Sequence, residues 1–455
     1  MLKQMQGTDK RAFPRITVEP SVMVSGGVEG RLANVSEGGI CVAASRSIPL
    51  KTCSLEIKFP GRDILLNAEI KWCSKIKDED EFLCGADIFD ADEKALAFMR
   101  KYMITKQFKY VVASVKNKND RNHILKFAKH FRDYLFGLID MREKMKDKKK
   151  NHEEEILRQV TEMTDAIVIK GEELKTAISD KKLLDEVKNV FRNLVSSWAF
   201  NSKIVYRGFE KPKGYPGDYE TLEIIYDKRI VSHKDDLGYF FDVYFLNNPY
   251  AKAVRERKNK LREIVEDVLA KEKSPISILN LACGACKEIR DICDSSSKTD
   301  LSGKEISFFC LDWDKEALAF SKEQLKNSPK NFHINFMEEN VLNFIRRTEF
   351  YDKNGKQDLI YSIGLADYFT DRILKTMTKN AFYGLKKGGK FVIAHKDKDI
   401  SFSHLPPEWF CDWTFYQRNQ EDLLALINGV GLDGVKISTD RDVTGDIFFI
   451  TLTKG

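Results

Sequence analysis

Between about residues 13 and 90 apolar and polar positions alternate over short runs, ITVEPSVMV, GRLANVS, GGICVAAS, CSLEIKF, ILLNAEIKWCS and EFLCGADIF, separated by turn residues. Side chains of a strand point alternately to its two faces, so closely spaced runs of this kind predict a small β-barrel or sandwich. The period then changes. ADEKALAFMRKYMITKQF and the stretch from about 120 to 205 are nearly free of Gly and Pro, and apolar residues recur at helical spacing: Leu157, Val160, Met163, Ile167, then Leu184, Val187, Phe191, Leu194. KPKGYPGDY stops any helix at Gly214, Pro216 and Gly217, and two further helical stretches follow to about residue 272. Beyond them strand candidates (ISILNLAC, ISFFCLD, INFMEE, DLIYSIG, KFVIAH, DGVKIST, DIFFITLT) alternate with helical segments, the mark of an α/β domain with a largely parallel sheet. DRDVTGD joins the last two strands and is short enough only for an antiparallel return.

The expected fold is therefore multidomain: a small N-terminal β-barrel (1–105), a helical connector (106–210), and a C-terminal doubly wound, Rossmann-like α/β domain with an antiparallel last strand and a helical lead-in (211–455). A length of 455 residues agrees with two or three domains of about 100–200 residues each. Hydrophobic residues make up 42% and charged residues 32%, which argues for folded domains rather than disorder. The net charge of +6 is spread over the chain, with no basic stripe to suggest a nucleic-acid polymer as partner. The charged stretch MREKMKDKKKNHEEE reads as a solvated helix or linker. No run approaches the roughly 18 apolar residues of a membrane span, and the basic start has no signal-type apolar segment, so a cytoplasmic chain is expected. The nine cysteines then read as reduced, mostly buried thiols; Cys283 and Cys286 form a CxxC with no second pair or His cluster at metal spacing, and no metal site is assigned. The middle helices could serve equally to dimerise the protein.

Two short constellations carry chemistry. Arg11 and Arg15 stand four residues apart and are followed by Asn34, Ser36 and Gly39 at N-x-S-x-x-G spacing. With Trp72 and Gly85 in WCS…FLCGADIF, this resembles the PilZ family, whose motif is RxxxR…[D/N]xSxxG. The resemblance covers about residues 8–100 and implies a barrel that binds cyclic di-GMP. It assigns Arg11 and Arg15 to a mobile arm, Asn34 and Ser36 to a guanine edge beside the turn at Gly39, and Lys10 to a possible extra phosphate contact. Arginine suits such a ligand because its guanidinium forks onto phosphate and guanine acceptors and stacks on base planes.

In the C-terminal part, ILNLACGAC offers a tight turn after the first strand, centred on Gly284, and FFCLDWD offers an acid at the tip of the second. Such a pair binds S-adenosylmethionine (SAM) in a doubly wound fold: backbone amides meet the methionine part and the acid meets the ribose hydroxyls. Asp312 is the favoured ribose ligand with Asp314 in reserve, and Glu339 or Asn340 is placed near the adenine. Gly364 follows the fourth strand. The glycine pattern itself departs from the usual one, reading Asn280, Ala282, Gly284, Cys286 where an acid and three glycines are common.

The blocks KPKGYPGDYETLEIIYD, NNPYAKAVRERKNKL, ILNLACGACKEI, SIGLADYFTDRIL, KKGGKFVI and EWFCDWTFYQR, in that order over about residues 205–455, resemble bacterial class I SAM-dependent methyltransferases of 3-hydroxypalmitic acid methyl ester biosynthesis. Lys287 departs from the expected Arg. The resemblance implies O-methylation of a hydroxy fatty-acid carboxylate. Such a carboxylate is ionised at neutral pH, so no acid/base residue is assigned; Tyr215, Asp218, Tyr219, Asp367, Tyr368, Trp413, Tyr416 and Arg418 are candidates for orienting the acyl substrate. Arg418 either forks onto the substrate carboxylate or makes a structural ion pair, Trp409, Trp413 and Phe415 either line an acyl tunnel or are core, and His395 reads as an edge residue rather than a base. The competing reading is a catalytically silent adaptor, in which the barrel senses cyclic di-GMP and a degenerate methyltransferase fold binds a protein partner.

Overall fold

The computed structural model describes residues 16–17, 21–24, 27–35, 39–59, 62–75, 80–146, 152–295, 301, 303–400 and 405–455, without the side chains of some of them. The chain divides into two compact units, one of residues 1–203 with 232–241 and the other of 204–231 with 242–455.

The first unit begins with the strands β1 (Ile16–Thr17), β2 (Ser21–Val24), β3 (Val28–Val35), β4 (Gly39–Ala44), β5 (Thr52–Phe59), β6 (Arg62–Lys75) and β7 (Phe82–Asp90). They pair antiparallel in the order β3-β2-β5-β6-β7-β4, and β4 returns to β3, so six strands close into a barrel. Closure removes the sheet's edges. Alternation decides what fills it: Cys53, Leu55, Ile57 and Phe59 of β5 and Ile64, Leu66, Ala68 and Ile70 of β6 are buried, with more exposed residues between them. Gly30 sits where a Cβ would come within 2.5 Å of the Ala43 carbonyl oxygen. Trp72 faces Gly85 across β6 and β7, and a Cβ there would lie 2.2 Å from the indole Nε1. The expectation that all nine cysteines are reduced does not hold: Cys73 and Cys84, paired across the same two strands, form a disulfide.

Four helices follow, α1 (Glu93–Ser114), α2 (Lys118–Lys146), α3 (Glu153–Ala177) and α4 (Lys181–Ala199). Phe108, Phe127, Phe131 and Phe191 meet in one aromatic cluster drawn from α1, α2 and α4. Of the charged stretch 141–155, residues 141–146 belong to α2 and 153–155 to α3, and Asp180 caps α4 by accepting from the amides of Lys182 and Leu183.

The second unit is led by α5 (Lys203–Glu210), α6 (Tyr219–Tyr226), α7 (Leu237–Asn247), at whose Phe241–Asp242 step the division falls, and α8 (Pro249–Lys271). Three helices thus lie after KPKGYPGDY where two were expected. The sheet consists of β8 (Ile276–Leu281), β9 (Ile306–Asp312), β10 (Phe332–Glu338), β11 (Gln357–Ser362), β12 (Leu385–Lys396), β13 (Val435–Arg441) and β14 (Ile447–Lys454). Their order is β10-β9-β8-β11-β12-β14-β13, parallel except for β14, which runs antiparallel to both neighbours. Between them lie α9 (Lys287–Ser295), α10 (Lys315–Gln324), α11 (Val341–Phe344), α12 (Glu349–Asn354), α13 (Asp371–Tyr383), α14 (Leu405–Cys411) and α15 (Gln420–Asn428). Buried apolar clusters cover the two faces of the sheet, one around Ile278, Phe308 and Leu359, the other around Leu279, Ile360 and Phe391. No helix among the described residues is long and apolar enough to cross a membrane.

Candidate functional site

The strand order reverses between β8 and β11, with β9 and β10 on one side and β12 on the other. In an open α/β sheet a crevice forms at the carboxyl ends of the strands at such a point, and ligands bind there. The loops that the sequence singles out converge on it. After β8 the chain turns through Ala282 (φ 61°), Gly284 (φ 50°) and Cys286 (φ 48°). All three occupy the left-handed region that glycine enters freely and other residues enter at a cost of about 1–2 kcal/mol. The backbone shape favoured by the glycine-rich pattern is therefore present, although two of its residues are not glycine.

The Gly284 amide donates to Asp312 Oδ2 at 2.8 Å, and the Ser321 hydroxyl donates to the Gly284 carbonyl at 2.9 Å. A Cβ at Gly284 would meet nothing within 4 Å, so the loop faces open space. The buried Asp312 carboxylate stands against the turn, with Oδ1 accepting from the Asp314 amide at 3.0 Å and Oδ2 from that of Gly284. Burial lifts the Asp312 carboxyl above its usual range, opposed by the amides of Asp314 and Gly284. Asn280, at the end of β8, donates to Glu288.

The other cofactor candidates have local duties. Asp314 caps α10, accepting from the amides of Glu316 and Ala317, and Asn340 caps α11 through the Leu342 amide. The Glu339 amide donates to the Asp312 carbonyl and its side chain pairs with Arg347. Gly364, after β11, approaches Arg257 of α8: a Cβ there would stand 3.5 Å from its Nη2.

Of the substrate candidates, Tyr215 lies beside Trp313, with ring centroids 6.1 Å apart, and Tyr219 packs with Ala285 and Ala317. Trp413 donates from Nε1 to the Tyr368 hydroxyl at 2.5 Å, and its ring meets Tyr250 and Phe415. Asp367 is buried, accepting from the Lys396 amide at 2.9 Å. Tyr416 is largely exposed, and its amide donates to the Asp367 carbonyl. The expectations for Asp218 and His395 change, and for Arg418 the ion-pair alternative is the one found. Asp218 is fully buried, caps α6 and is held by Arg207 at 2.6 Å, which commits it to the fold rather than to a ligand. Arg418 is likewise spent: its Nη2 donates to Asp371 Oδ1 and to the Phe369 carbonyl, both at 2.7 Å. His395 is buried, not at an edge, with Nδ1 3.3 Å from Asp367 and Nε2 3.4 Å from Arg418.

Three residues of this region carry no sequence signal of their own. Arg257 is buried on α8, with Asp367 4.0 Å away. Lys396 lies over the Tyr250 ring at 4.6 Å, and burial pushes its ammonium down to about 8 against the pull of Asp446 and Asp367. Tyr250 also lines an apolar pocket with Ile225, Phe245, Leu246, Cys411 and Trp413.

In the barrel, Ile16 pairs with Val35 and Thr17 with Asn34. Gly39 opens β4. Lys10, Arg11, Arg15 and Ser36, as well as the Asn34 side chain, lie outside what the structure describes.

Neither a family model nor a curated protein sequence matches the chain. Among solved structures, a possible exported protein from Bordetella parapertussis is similar over 77% of this chain and 96% of its own, at 14% identity and a TM-score of 0.42. Magnesium protoporphyrin IX methyltransferase from Synechocystis, with bound SAH, is similar over 56% of this chain and all of its own, at 12% identity and a TM-score of 0.36. The Bacillus subtilis inhibitor of motility is similar over 22% of this chain and 52% of its own, at 17% identity and a TM-score of 0.21.

Proposed function

We propose that the chain is a SAM-dependent methyltransferase that converts a fatty-acid or hydroxy fatty-acid carboxylate to its methyl ester, and that its N-terminal barrel binds cyclic di-GMP and tunes this activity in the cytoplasm. The observation that carries the enzyme reading is the β8–α9 turn, with Ala282, Gly284 and Cys286 all left-handed and the Gly284 amide on Asp312, at the point where the strand order reverses. What favoured a silent adaptor was the loss of two glycines from that turn, and Ala282 and Cys286 adopt the glycine-like conformation regardless. The division of labour proposed is a barrel for sensing, middle helices as connector, and the α/β domain for chemistry.

Bound SAM supplies a methyl group made electrophilic by the sulfonium. The turn at Ala282–Gly284 faces the methionine part, Asp312 takes the ribose hydroxyls, and Glu339 and Asn340 flank the adenine. The acceptor carboxylate is already ionised, so the protein's task is to align it and exclude water. We assign that task to Tyr215, Tyr368 and Trp413.

Calorimetric titration of the full-length chain with SAM tests the reading. Micromolar binding that falls at least about tenfold in Asp312→Asn is expected from the loss of a charged hydrogen-bond acceptor; no binding by the wild type refutes the enzyme. The same titration with cyclic di-GMP tests the barrel: Arg11→Ala should abolish binding, and unchanged affinity would sink the sensor.

A further inference from the structure

The turn between β8 and α9 opens on Asn280, where an acid is common, and the fold brings a carboxyl group to the same place from further along the chain. Asn280 is the last residue but one of β8 and is 4% exposed. Tyr361 of β11 and Cys310 of β9 stand in register with it on either side, so the three side chains share one face of the sheet. Glu288 reaches that face from the first turn of α9. Its Oε1 accepts from Asn280 Nδ2 at 2.8 Å and from the Tyr361 hydroxyl at 2.7 Å, and all three residues are buried.

This arrangement fixes which way the amide faces. Because Oε1 is the acceptor of both bonds, Asn280 has to turn its NH2 group to Glu288 and its carbonyl oxygen away. The Tyr361 bond holds the carboxyl group still while Asn280 uses it. Among the described residues no group donates to Asn280 Oδ1. A buried amide oxygen without a donor carries a desolvation cost that a bound N–H group removes. Its place supplies the second observation: Ala282, two residues on, begins the left-handed turn, and β8 borders the point where the strand order reverses. An acceptor there, backed by a buried acid, suits a cation with N–H donors. SAM carries such a group in the ammonium of its methionine part.

We propose that Asn280 Oδ1 receives the ammonium of SAM and that Glu288 is the positioning residue that holds the amide for it. The inference deepens the methyltransferase reading and rests on it for the identity of the ligand. The negative charge that the turn lacks at Asn280 then comes from α9 and acts through one polarised amide.

Two adenosine ligands test this by calorimetric titration of the full-length chain at about pH 8, where Glu288 is ionised. S-adenosyl-3-thiopropylamine keeps an ammonium, and 5′-methylthioadenosine lacks one. The wild type should prefer the amine by roughly tenfold or more, as a hydrogen bond to a charged group implies. Asn280→Ala should erase that preference, and Glu288→Ala should erase it equally although Glu288 touches no ligand. Glu288→Gln keeps an oxygen for Asn280 and should retain part of it. Damage that is merely structural weakens both ligands in parallel and leaves their ratio alone. A folded Glu288→Ala chain that keeps the wild-type ratio overturns the proposal, as does a wild type that binds both ligands alike, a comparison that needs no variant to fold. In that second case the adenosine site, and with it the methyltransferase reading, still stands; a wild type that binds neither ligand removes both.

Discussion

Replacing Glu288 with glutamine should stabilise the α/β unit by an amount that grows with pH. Glu288 lies in the first turn of α9, directly after the candidate cofactor turn, and is buried. Its Oε1 accepts from Asn280 Nδ2 at 2.8 Å and from the Tyr361 hydroxyl at 2.7 Å. Burial above all, with the neighbouring Cys286 and Asp291, pushes its carboxyl up to about 7, and the Tyr361 hydrogen bond pulls the other way. Since the folded value lies above the unfolded one of 4.5, the folded state keeps a proton that the unfolded chain has already released between those two points. Stability from this group is therefore undiminished below about pH 4.5 and falls by about 1.4 kcal/mol per pH unit until about pH 7, where the loss levels off near 3 kcal/mol. Relaxation of the site makes that figure an upper limit. Glutamine keeps an oxygen for Asn280 and Tyr361 and never ionises. Urea unfolding of wild type and Glu288→Gln at about pH 5 and about pH 8, with hydrogen exchange at the amides of Ile276–Leu281 to report this unit alone, reads the difference. The variant's advantage should be less than about 1 kcal/mol at the lower pH and about 2–3 kcal/mol at the higher. An advantage that is flat with pH, or that shrinks as pH rises, refutes the placement of a strained acid under the turn.

Two further perturbations probe the same unit. Ala282→Gly should be neutral or stabilising by up to about 1 kcal/mol in thermal unfolding, against the loss glycine brings in ordinary backbone, because the left-handed strain removed exceeds the added chain entropy; a loss larger than about 1 kcal/mol would mean that Ala282 is not held left-handed. Asp371→Ala should cost about 1–2 kcal/mol in urea unfolding by stranding the buried Arg418 guanidinium, the exposed position of Asp371 limiting the effect; an unchanged stability would show that Asp371 does not hold Arg418.

The strands of both units were legible because a period of two in one and alternation of apolar runs with helical segments in the other depend on near neighbours in the chain. The antiparallel β14 was legible for the same reason, since DRDVTGD is too short for a crossover. The candidate cofactor turn was half legible. Residue types pointed to a degenerate loop, but the requirement is on φ, and Ala282 and Cys286 meet it at a tolerable cost. The disulfide was not legible, because Cys73 and Cys84 meet only through the register of β6 with β7.

The arginines show most clearly where reading along the chain stops. Arg418 sits among aromatic residues near the chain's end and invites a ligand, yet the partner that satisfies it, Asp371, lies 47 positions earlier. Arg257 belongs to VRERKNK, a run that by charge alone describes a solvated helix face. In the fold Arg255 donates to the carbonyls of Ile225 and Leu246, Lys258 pairs with Asp291, and both are as buried as Arg257. A helix that buries three successive cationic positions of such a run is covered on that side by other elements, and each cation then has to find an acceptor within them. Arg255 and Lys258 do so at hydrogen-bond distance, and Arg257 is met by the Tyr226 phenol with the Asp367 carboxylate 4.0 Å away. These acceptors lie on α6, α7 and α9 and after β11, so whether a cation of the run is solvated or structural is decided by elements that the run itself does not contain.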